Sequence, residues 1–365
     1  MHDRFLSRID KLRSKIRECE CDSMLVSNYT NVTYLTGFTG DSSYLFVTQD
    51  NVVLITDFRY ITQLEQECPG LDLHQRSTNE TMPEMVEVVV KKAGVSKLAI
   101  EASTMSVALR DSIAERLPSA ELVSSTMVVE LLRQIKDDHE IEEIRRSIRM
   151  AERAFETIKA SLRGDQTEKL VTAELEHQIR LFGGVGCAFP PIVGVGPQAA
   201  LPHAVPGDSR IADDDFVLID WGAKAGLYLS DLTRVLVTGS VSDKLRRIYR
   251  IVLNAQEAAI SKIAPGVPMC DVDAAARSVI ADAGHAEHFG HGLGHGFGLE
   301  IHEQPRLGAK HSEPLEVGMV ITVEPGIYLP GWGGVRIEDD VLVTESGHEV
   351  LSRVSKQLDD CIVEL

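Results

Sequence analysis

Residues 216–237 read FVLIDWGAKAGLYLSDLTRVLV, and this stretch decides the fold of the C-terminal half of the chain. An apolar run that ends on Asp220 is predicted to be a strand. A turn follows, and Tyr228–Val237 is predicted to be the returning strand, which carries Asp231. Such a hairpin can bring the two carboxylates within a few ångströms of each other. Two carboxylates that close repel each other unless a cation lies between them.

Two later strands carry further carboxylates. Met319–Val323 is predicted to be a strand that ends on Glu324, directly before a Pro-Gly turn. Val335–Val343 is predicted to be a second strand, and it carries Glu338. Because side chains alternate along a strand, Arg336 and Glu338 are expected on one face. Charged side chains on a strand inside a domain are costly to bury unless other polar or charged groups pair with them.

Three histidines, His291, His295 and His302, lie in the glycine-rich stretch HGLGHGFGLEIHEQP at residues 291–305. The helix of an H-E-x-x-H zinc protease is not expected here, because each glycine costs about 1 kcal/mol relative to alanine in a helix. Glycine at every second position instead lets the backbone approach a ligand or a neighbouring strand closely. The spacing is not that of a G-x-G-x-x-G nucleotide loop. We therefore predict an active-site role for these histidines.

Five residues together form a candidate metal-ligand set: Asp220, Asp231, His295, Glu324 and Glu338. Four carboxylates and one imidazole are enough to hold two divalent ions, and oxygen-dominated sets of this kind suit manganese, cobalt or zinc in a hydrolytic site. Taken alone, several members also fit ordinary roles. Asp231 could face solvent, and Glu338 could belong to a surface ion pair.

The rest of the chain predicts an α+β protein of two domains. Residues 1–125 alternate between helix and strand patterns, which indicates a compact α/β domain with a mixed sheet. Residues 126–365 are predicted to form the second domain. A long helix that starts at Asp137 is predicted to lead into it and to pack through one face. Two further helices are predicted at about 242–263 and 270–283.

Composition excludes several classes of partner. The net charge of −18 argues against a nucleic-acid partner, which requires clustered lysine and arginine. Six scattered cysteines are expected to be free thiols in a reducing compartment, and the lone Cys19/Cys21 pair is a poor zinc site. The charged N-terminus does not resemble a signal peptide, and no apolar run is long enough to span a membrane. A cytoplasmic protein is expected.

The chain resembles the pita-bread (M24-type) metallopeptidases, which include methionine aminopeptidase, Xaa-Pro aminopeptidase and prolidase. The matching segments are LPHAVPGD, VLIDWGA, YLSDLTRV, HGLGHGFGLEIHEQP, ITVEPGIY and GVRIEDD, in the family's order and spacing. SNYTNVTYLTGFTGDSSYLFVT and LITDFRY are similar to the first domain of bacterial Xaa-Pro aminopeptidases. The resemblance implies a creatinase-like α/β domain with a mixed sheet, followed by a pita-bread metallopeptidase domain.

The resemblance also implies roles for the five ligands. Asp231 and Glu338 would bridge two divalent metal ions, Asp220 would complete one ion, and His295 and Glu324 would complete the other. Glu324 would also handle the proton of the attacking water. Manganese is the expected metal, with cobalt or zinc as alternatives.

Further residues match the family's substrate machinery. His203, His291 and His302 match its substrate and transition-state histidines, and Arg336 matches a supporting arginine beside the bridging glutamate. His302 or His291 would steady the tetrahedral oxyanion.

The implied reaction is removal of an N-terminal residue that precedes proline, by an Xaa-Pro aminopeptidase that is expected to be a homodimer. Its hydroxide nucleophile would bridge the two metals. A prolidase limited to Xaa-Pro dipeptides is the alternative with the same chemistry. A creatinase-like amidinohydrolase and an inactive binding module are further alternatives, although the ligand set is complete here and creatinase lacks it. Substrate length, the native metal and the preference for the first residue stay open.

Overall fold

The computed structural model describes residues 3–365, so the first two residues of the predicted N-terminal domain lie outside the described part. The chain divides into two compact units, one that ends at Arg133 and one that spans Gln134–Leu365. The boundary between residues 125 and 126 stays a prediction of the sequence.

A six-stranded mixed sheet forms the centre of the first unit, in the order β4-β3-β2-β1-β5-β6. β1 pairs antiparallel with β2, and β2 with β3, whereas the β3/β4, β1/β5 and β5/β6 pairs are parallel. This confirms the predicted mixed sheet. The strands are β1 Ser23–Val26, β2 Tyr44–Thr48, β3 Val52–Asp57, β4 Asp72–Arg76, β5 Lys97–Glu101 and β6 Glu121–Ser125.

Helices cover this sheet and supply its core. On α4, a capping box between Thr81 and Glu84 starts the helix, and Val86 and Val90 pack against the buried side chains of the sheet. The helices are α1 Asp3–Glu18, α2 Tyr29–Thr36, α3 Ile61–Glu67, α4 Met82–Ala93, α5 Val107–Arg116 and α6 Val128–Arg133.

Four helices belong to the second unit: α7 Asp138–Ser161, α8 Glu168–Leu181, α9 Asp243–Lys262 and α10 Met269–Asp282. Asp137 caps α7 in a capping box with Glu140, and the face that includes Ile144, Ile148 and Phe155 is buried as predicted. α9 and α10 confirm the two further predicted helices.

The strands of the second unit form four small sheets, with the orders β11-β10-β7, β12-β9-β8, β14-β13-β15-β18-β19 and β16-β17. Their strands are β7 Gly186–Cys187, β8 Ile192–Val195, β9 Phe216–Trp221, β10 Ala223–Ala225, β11 Tyr228–Leu229, β12 Leu232–Val237, β13 Gly294–Gly296, β14 Glu303–Leu307, β15 Val320–Val323, β16 Gly326–Leu329, β17 Gly333–Arg336, β18 Asp339–Thr344 and β19 Gly347–Val350.

Two predicted strands are wrong as continuous elements. The returning strand Tyr228–Val237 breaks at Asp231, so that β11 pairs with β10 and β12 pairs with β9. The strand Val335–Val343 breaks at Glu338, between β17 and β18. In both places the continuous ladder is interrupted at or beside a predicted metal ligand, and the two carboxylates turn toward the same point.

Within residues 3–365, no helix combines the length and the apolar character that crossing a membrane requires.

Candidate metal centre

Three buried carboxylates meet where β9, β12 and β18 come together. The register of β9 with β12 places Asp220 opposite Thr233, and an isolated antiparallel bridge joins Thr233 to Glu338. Asp231 precedes β12. One oxygen each from Asp220, Asp231 and Glu338 lies within 4.8 Å of the others. The structure therefore brings together three of the five residues that the sequence predicted as ligands.

A glycine lets the two ends of the Asp220–Asp231 hairpin approach each other. A Cβ atom built on Gly222 would lie 1.8 Å from the carbonyl oxygen of Ser230, which no real side chain tolerates. Only glycine fits at this crossing.

The other two predicted ligands adjoin this group. The Nε2 atom of His295 lies 3.7 Å from Oδ2 of Asp231 and 3.4 Å from Oε1 of Glu324. Thr322 aligns this side of the site, because its hydroxyl accepts the His295 N–H at 3.0 Å and donates to Glu324 at 3.2 Å. All five predicted ligands therefore adjoin one another. Asp220, Asp231, Glu324 and Glu338 are hereafter the carboxylate cluster.

The glycines around His295 act as the sequence predicted. A Cβ atom on Gly294 would lie 2.0 Å from the Thr322 carbonyl oxygen, and one on Gly296 would lie 2.1 Å from the Gln304 carbonyl oxygen. The neighbouring strands can therefore approach β13 only because these positions have no side chain.

The ring of His295 is oriented by its own backbone. Its Nδ1 atom lies 3.1 Å from the carbonyl oxygen of Gly296, an acceptor, so Nδ1 carries the proton and Nε2 presents a lone pair. Burial lowers the pKa of His295 to about 3, which keeps the ring neutral. A neutral nitrogen that faces two carboxylates is the arrangement that a shared cation would satisfy.

The electrostatics of the cluster also call for a cation. Burial, followed by the charges of Glu338 and Asp220, raises the pKa of Asp231 well above its usual value. Burial, followed by Glu324 and Asp220, does the same to Glu338. The Oδ1 atom of Asp220 is buried and has no hydrogen-bond partner among the described residues. Burial also raises the pKa of Glu324 to about 7. This donor set fits divalent metal ions.

Arg336 ties the cluster to its surroundings. It donates from Nη2 to Asp220 at 2.6 Å, from Nε to the Thr233 hydroxyl at 3.0 Å and from Nη1 to the Tyr328 hydroxyl at 3.0 Å. The Thr233 hydroxyl in turn donates to Glu338 at 2.6 Å. Thr233 and Tyr328 were not predicted from the sequence, although both lie inside the family motifs, because their residue types alone do not suggest a function.

A cavity of about 930 Å³ opens onto the cluster, and all three predicted substrate histidines line it. The Nε2 atom of His291 lies 3.0 Å from the Tyr328 hydroxyl, and its Nδ1 lies 2.7 Å from the carbonyl oxygen of Gly292. His302 packs edge-on against His295 at a centroid distance of 4.5 Å. His203 is exposed at the cavity wall.

Charged side chains outside the cavity hold the histidine segments. Arg277 donates to the carbonyl oxygens of Phe289 at 3.0 Å and His291 at 2.9 Å. Glu303 accepts the N–H groups of Leu299 and Glu300 at 2.9 and 3.0 Å, which fixes the loop before His302. The Glu303 contacts are local, whereas the Arg277 contacts join residues 12 and 14 positions apart, which no local pattern could have predicted.

A buried ion network lies behind the cluster. Arg234 donates to Asp339 at 2.7 Å and also to the carbonyl oxygens of Thr233, Glu338, Val354 and Ser355. The other oxygen of Asp339 accepts from Gln256 at 2.8 Å and from Lys356 at 2.6 Å. We call Arg234, Gln256, Asp339 and Lys356 the ion network.

Comparisons with known protein families assign this chain to a class of protein. Residues 142–345 match the model of metallopeptidase family M24, and residues 8–135 match the creatinase/prolidase N-terminal domain. The chain belongs to metallopeptidase family M24. This confirms the resemblance and the predicted fold, a creatinase-like domain followed by a pita-bread metallopeptidase domain.

Relatives extend over almost the whole chain. An uncharacterised peptidase of Bacillus subtilis, YqhT, is 38% identical over 96% of this chain and 99% of its own length. An Xaa-Pro dipeptidase from Bacillus anthracis superposes with a TM-score of 0.95 at 38% identity, covering 98% of this chain and 100% of that one. An X-Pro aminopeptidase from Thermotoga maritima gives a TM-score of 0.88 at 34% identity, covering 96% and 100%.

Proposed function

We propose that this metallopeptidase removes an N-terminal residue that precedes proline, as an Xaa-Pro aminopeptidase. The observation that carries the proposal is the buried carboxylate cluster with the His295 lone pair, open to a cavity of about 930 Å³. Two structurally similar proteins are described as an Xaa-Pro dipeptidase and an X-Pro aminopeptidase, which supports the choice of bond.

Two divalent ions are assigned to this set. Asp231 and Glu338 would contact both, Asp220 would complete one, and His295 with Glu324 would complete the other. When bound, such ions lower the pKa of a shared water and polarise a carbonyl group. Manganese is the proposed metal and cobalt or zinc are the alternatives, because the ligand types narrow the choice without selecting one.

The remaining steps belong to side chains of this chain. Glu324 lies at the cavity wall and would take the proton of the attacking water. Burial lowers the pKa of His302, which favours the neutral imidazole. A neutral imidazole still carries one N–H, and His302 would donate it to the developing oxyanion. Both ring nitrogens of His291 already have partners, so His302 is the better donor. Arg336 would keep Asp220 oriented through its 2.6 Å contact.

The cavity wall suits a proline residue. Phe189, Pro190, Pro191, Pro202 and Pro206 contribute apolar surface. The nitrogen of an Xaa-Pro bond carries no hydrogen, so this wall need not supply an acceptor for it.

The cavity of about 930 Å³ has room for a peptide longer than a dipeptide, since it lies near the upper end of the roughly 300–1,000 Å³ range of ligand pockets. One observation favours the dipeptidase as a second candidate. Arg306 lines the cavity, and its guanidinium has no hydrogen bond or ion pair with the residues that the structure describes. A free arginine there could bind the terminal carboxylate of a dipeptide.

A panel of Xaa-Pro and Xaa-Pro-Xaa-Xaa peptides tests both candidates, with the manganese-loaded and cobalt-loaded protein. We expect cleavage of the longer peptides. Cleavage of the dipeptide alone would establish the second candidate, and Arg306→Met should then raise KM for the dipeptide while Arg59→Met, in the other unit, leaves it unchanged.

Creatine hydrolysis in the same panel would identify the amidinohydrolase alternative. A chain that binds no metal and cleaves no peptide would be a binding module. The homodimer and the cytoplasmic location stay predictions, which analytical ultracentrifugation and cell fractionation can check.

A further inference from the structure

One buried carboxylate closes the segment that carries His203. Glu168 accepts the N–H of Val195 on Oε1 at 2.8 Å and the N–H of Gly207 on Oε2 at 2.6 Å. Its side chain is almost completely buried, with a residue exposure of 1%. Val195 and Gly207 are the two ends of one excursion of the chain, so a single side chain ties both ends together. We call residues 195–207 the His203 segment.

The surroundings of Glu168 reinforce this contact. Glu168 is the first residue of α8, where the helix dipole favours a negative charge. Its own N–H donates to the carbonyl oxygen of Ser209 at 3.0 Å, and the N–H of Lys169 donates to that of Gly207 at 3.2 Å. Hydrogen bonds to an ionised acceptor are roughly twice as strong as neutral ones, so the two carboxylate contacts dominate this junction.

The two halves of the His203 segment are held differently. The first half packs against β17, where a Cβ atom on Gly334 would lie only 2.1 Å from the carbonyl oxygen of Ala199. The second half protrudes, with Leu201 55% and Val205 85% exposed, and so gains little from packing of these side chains. Residues 202–206 nevertheless line the cavity. Ala204 is packed in the core at 4% exposure, and the end of this wall at Gly207 is held by the Glu168 carboxylate and the Lys169 N–H. The position of that end therefore depends on the junction with Glu168.

We infer that Glu168 is a positioning residue for substrate binding, which acts by holding the His203 segment against the cavity. This inference rests on the proposed function and on the role predicted for His203 as one of the substrate histidines. Glu168 itself does not line the cavity, and within residues 3–365 it makes no hydrogen bond to the carboxylate cluster or to the three substrate histidines.

The test is Glu168→Gln in the full chain loaded with manganese. An amide retains only one acceptor, so either Val195 or Gly207 loses its partner. Hydrogen exchange at one of these two amides should become about tenfold faster. On an Xaa-Pro-Xaa-Xaa peptide, kcat/KM should fall by about 10- to 100-fold, mainly through KM, because a displaced wall misplaces the substrate. Manganese content should not change.

A double-mutant cycle tests whether Glu168 acts through the His203 segment. In a His203→Ala background, Glu168→Gln should cause a smaller loss than in the wild type, because one of the residues through which it acts is already gone. Lys169→Ala is the matched control. It removes an exposed ion pair with Asp208 at the same junction, and exchange and kinetics should stay as in the wild type.

Equal losses of kcat/KM in the wild-type and His203→Ala backgrounds would overturn the inference. Unchanged exchange across residues 195–207 would do the same. If Glu168→Gln does not fold, Glu168→Asp, whose shorter side chain cannot span both amides, replaces it. If neither folds, rapid exchange of the Gly207 amide in the wild type would refute the contact, and protection of it would support the contact. If the wild-type protein cleaves no Xaa-Pro peptide, the proposed function is refuted. The hydrogen-exchange measurement still tests whether Glu168 holds the amides of Val195 and Gly207.

Discussion

Glu338 and Asp339 are neighbours in sequence, both are buried, and their environments are opposite. Burial, with Glu324 and Asp220 close by, raises the pKa of Glu338 well above its usual value. Burial acts on Asp339 in the same direction, but Arg234 and Lys356 outweigh it and hold the pKa of Asp339 below its usual value. One residue belongs to the carboxylate cluster, and the next belongs to the ion network.

The difference shows how the fold tolerates a metal site. The carboxylate cluster concentrates negative charge that a divalent cation would balance. The ion network balances its own charges and fixes the backbone beside them, because Arg234 donates to the carbonyl oxygens of both Thr233 and Glu338. We expect the network to carry stability and the cluster to carry activity, and substitutions can separate the two.

The largest effect is expected within the cluster. Glu324→Gln should lower kcat on Xaa-Pro peptides by about 10²- to 10⁴-fold, the range for loss of a general acid or base. The free energy of unfolding of the metal-free protein should not fall, since a repelling charge is removed. Steady-state kinetics and urea denaturation measure the two quantities. Glu316→Gln, an exposed glutamate, is the control. Full activity of Glu324→Gln would show that another group takes the proton.

Removal of the central cation of the network should act on stability. Arg234→Leu leaves Asp339 buried beside only Lys356 and Gln256, and we expect a loss of about 3–5 kcal/mol in the free energy of unfolding. Urea denaturation of the metal-free protein checks this. Arg149→Leu breaks an exposed ion pair with Glu142 and should cost less than about 1 kcal/mol. Similar losses for both variants would contradict the distinction between cluster and network.

Two matched amide substitutions should change stability with opposite signs. Asp231→Asn relieves like-charge repulsion, so the metal-free protein should gain about 1–2 kcal/mol at neutral pH while manganese binding weakens. Asp339→Asn removes a charge that Arg234 and Lys356 compensate, so it should lower the free energy of unfolding. Denaturation curves and isothermal titration with manganese provide the comparison. A loss of stability in both variants would mean that the cluster is not a source of strain.

The last prediction concerns pH and metal removal. The pKa of Glu324 rises from 4.5 to about 7, so the folded metal-free protein holds protons that the unfolded chain has released. This stabilisation is complete below about 4.5 and is lost as pH rises through about 7, at about 1.4 kcal/mol per unit of pKa shift. Manganese replaces these protons, so the gain in Tm on adding it should grow with pH. Thermal unfolding with manganese or with a chelator between these pH values measures the gain. A gain in Tm that does not vary with pH would contradict the prediction.

Much of the fold could be predicted from local patterns. An apolar run located β9, which is buried along its whole length, and helical periodicity located α7, which buries one continuous face. The predicted strands through Asp231 and Glu338 were wrong for a common reason. A two-residue period assumes an unbroken ladder, but the ladder is interrupted at Asp231 and beside Glu338, where the carboxylates face the other ligands.

The ligand residues of the candidate site could be predicted from the sequence, but the residues that position them could not. Ligand types stood at strand ends and among glycines, so Asp220 and Glu324 were identifiable from the chain. Glu168 was not, because its partners Val195 and Gly207 lie far along the chain and meet it only through folding. Arg234 had a usable signal that the prediction did not exploit. A charged residue inside the apolar run LTRVLV implies buried partners.

Gly222 has a consequence for comparing members of a family. Its missing methyl group sets the spacing between two ligands, although the residue binds nothing itself. A homologous chain could keep all five ligand residues and still be unable to assemble them if alanine replaced this glycine. An alignment that checks ligands alone would score such a chain as an active enzyme. The glycine at this crossing is therefore a diagnostic position for separating working peptidases from inactive copies.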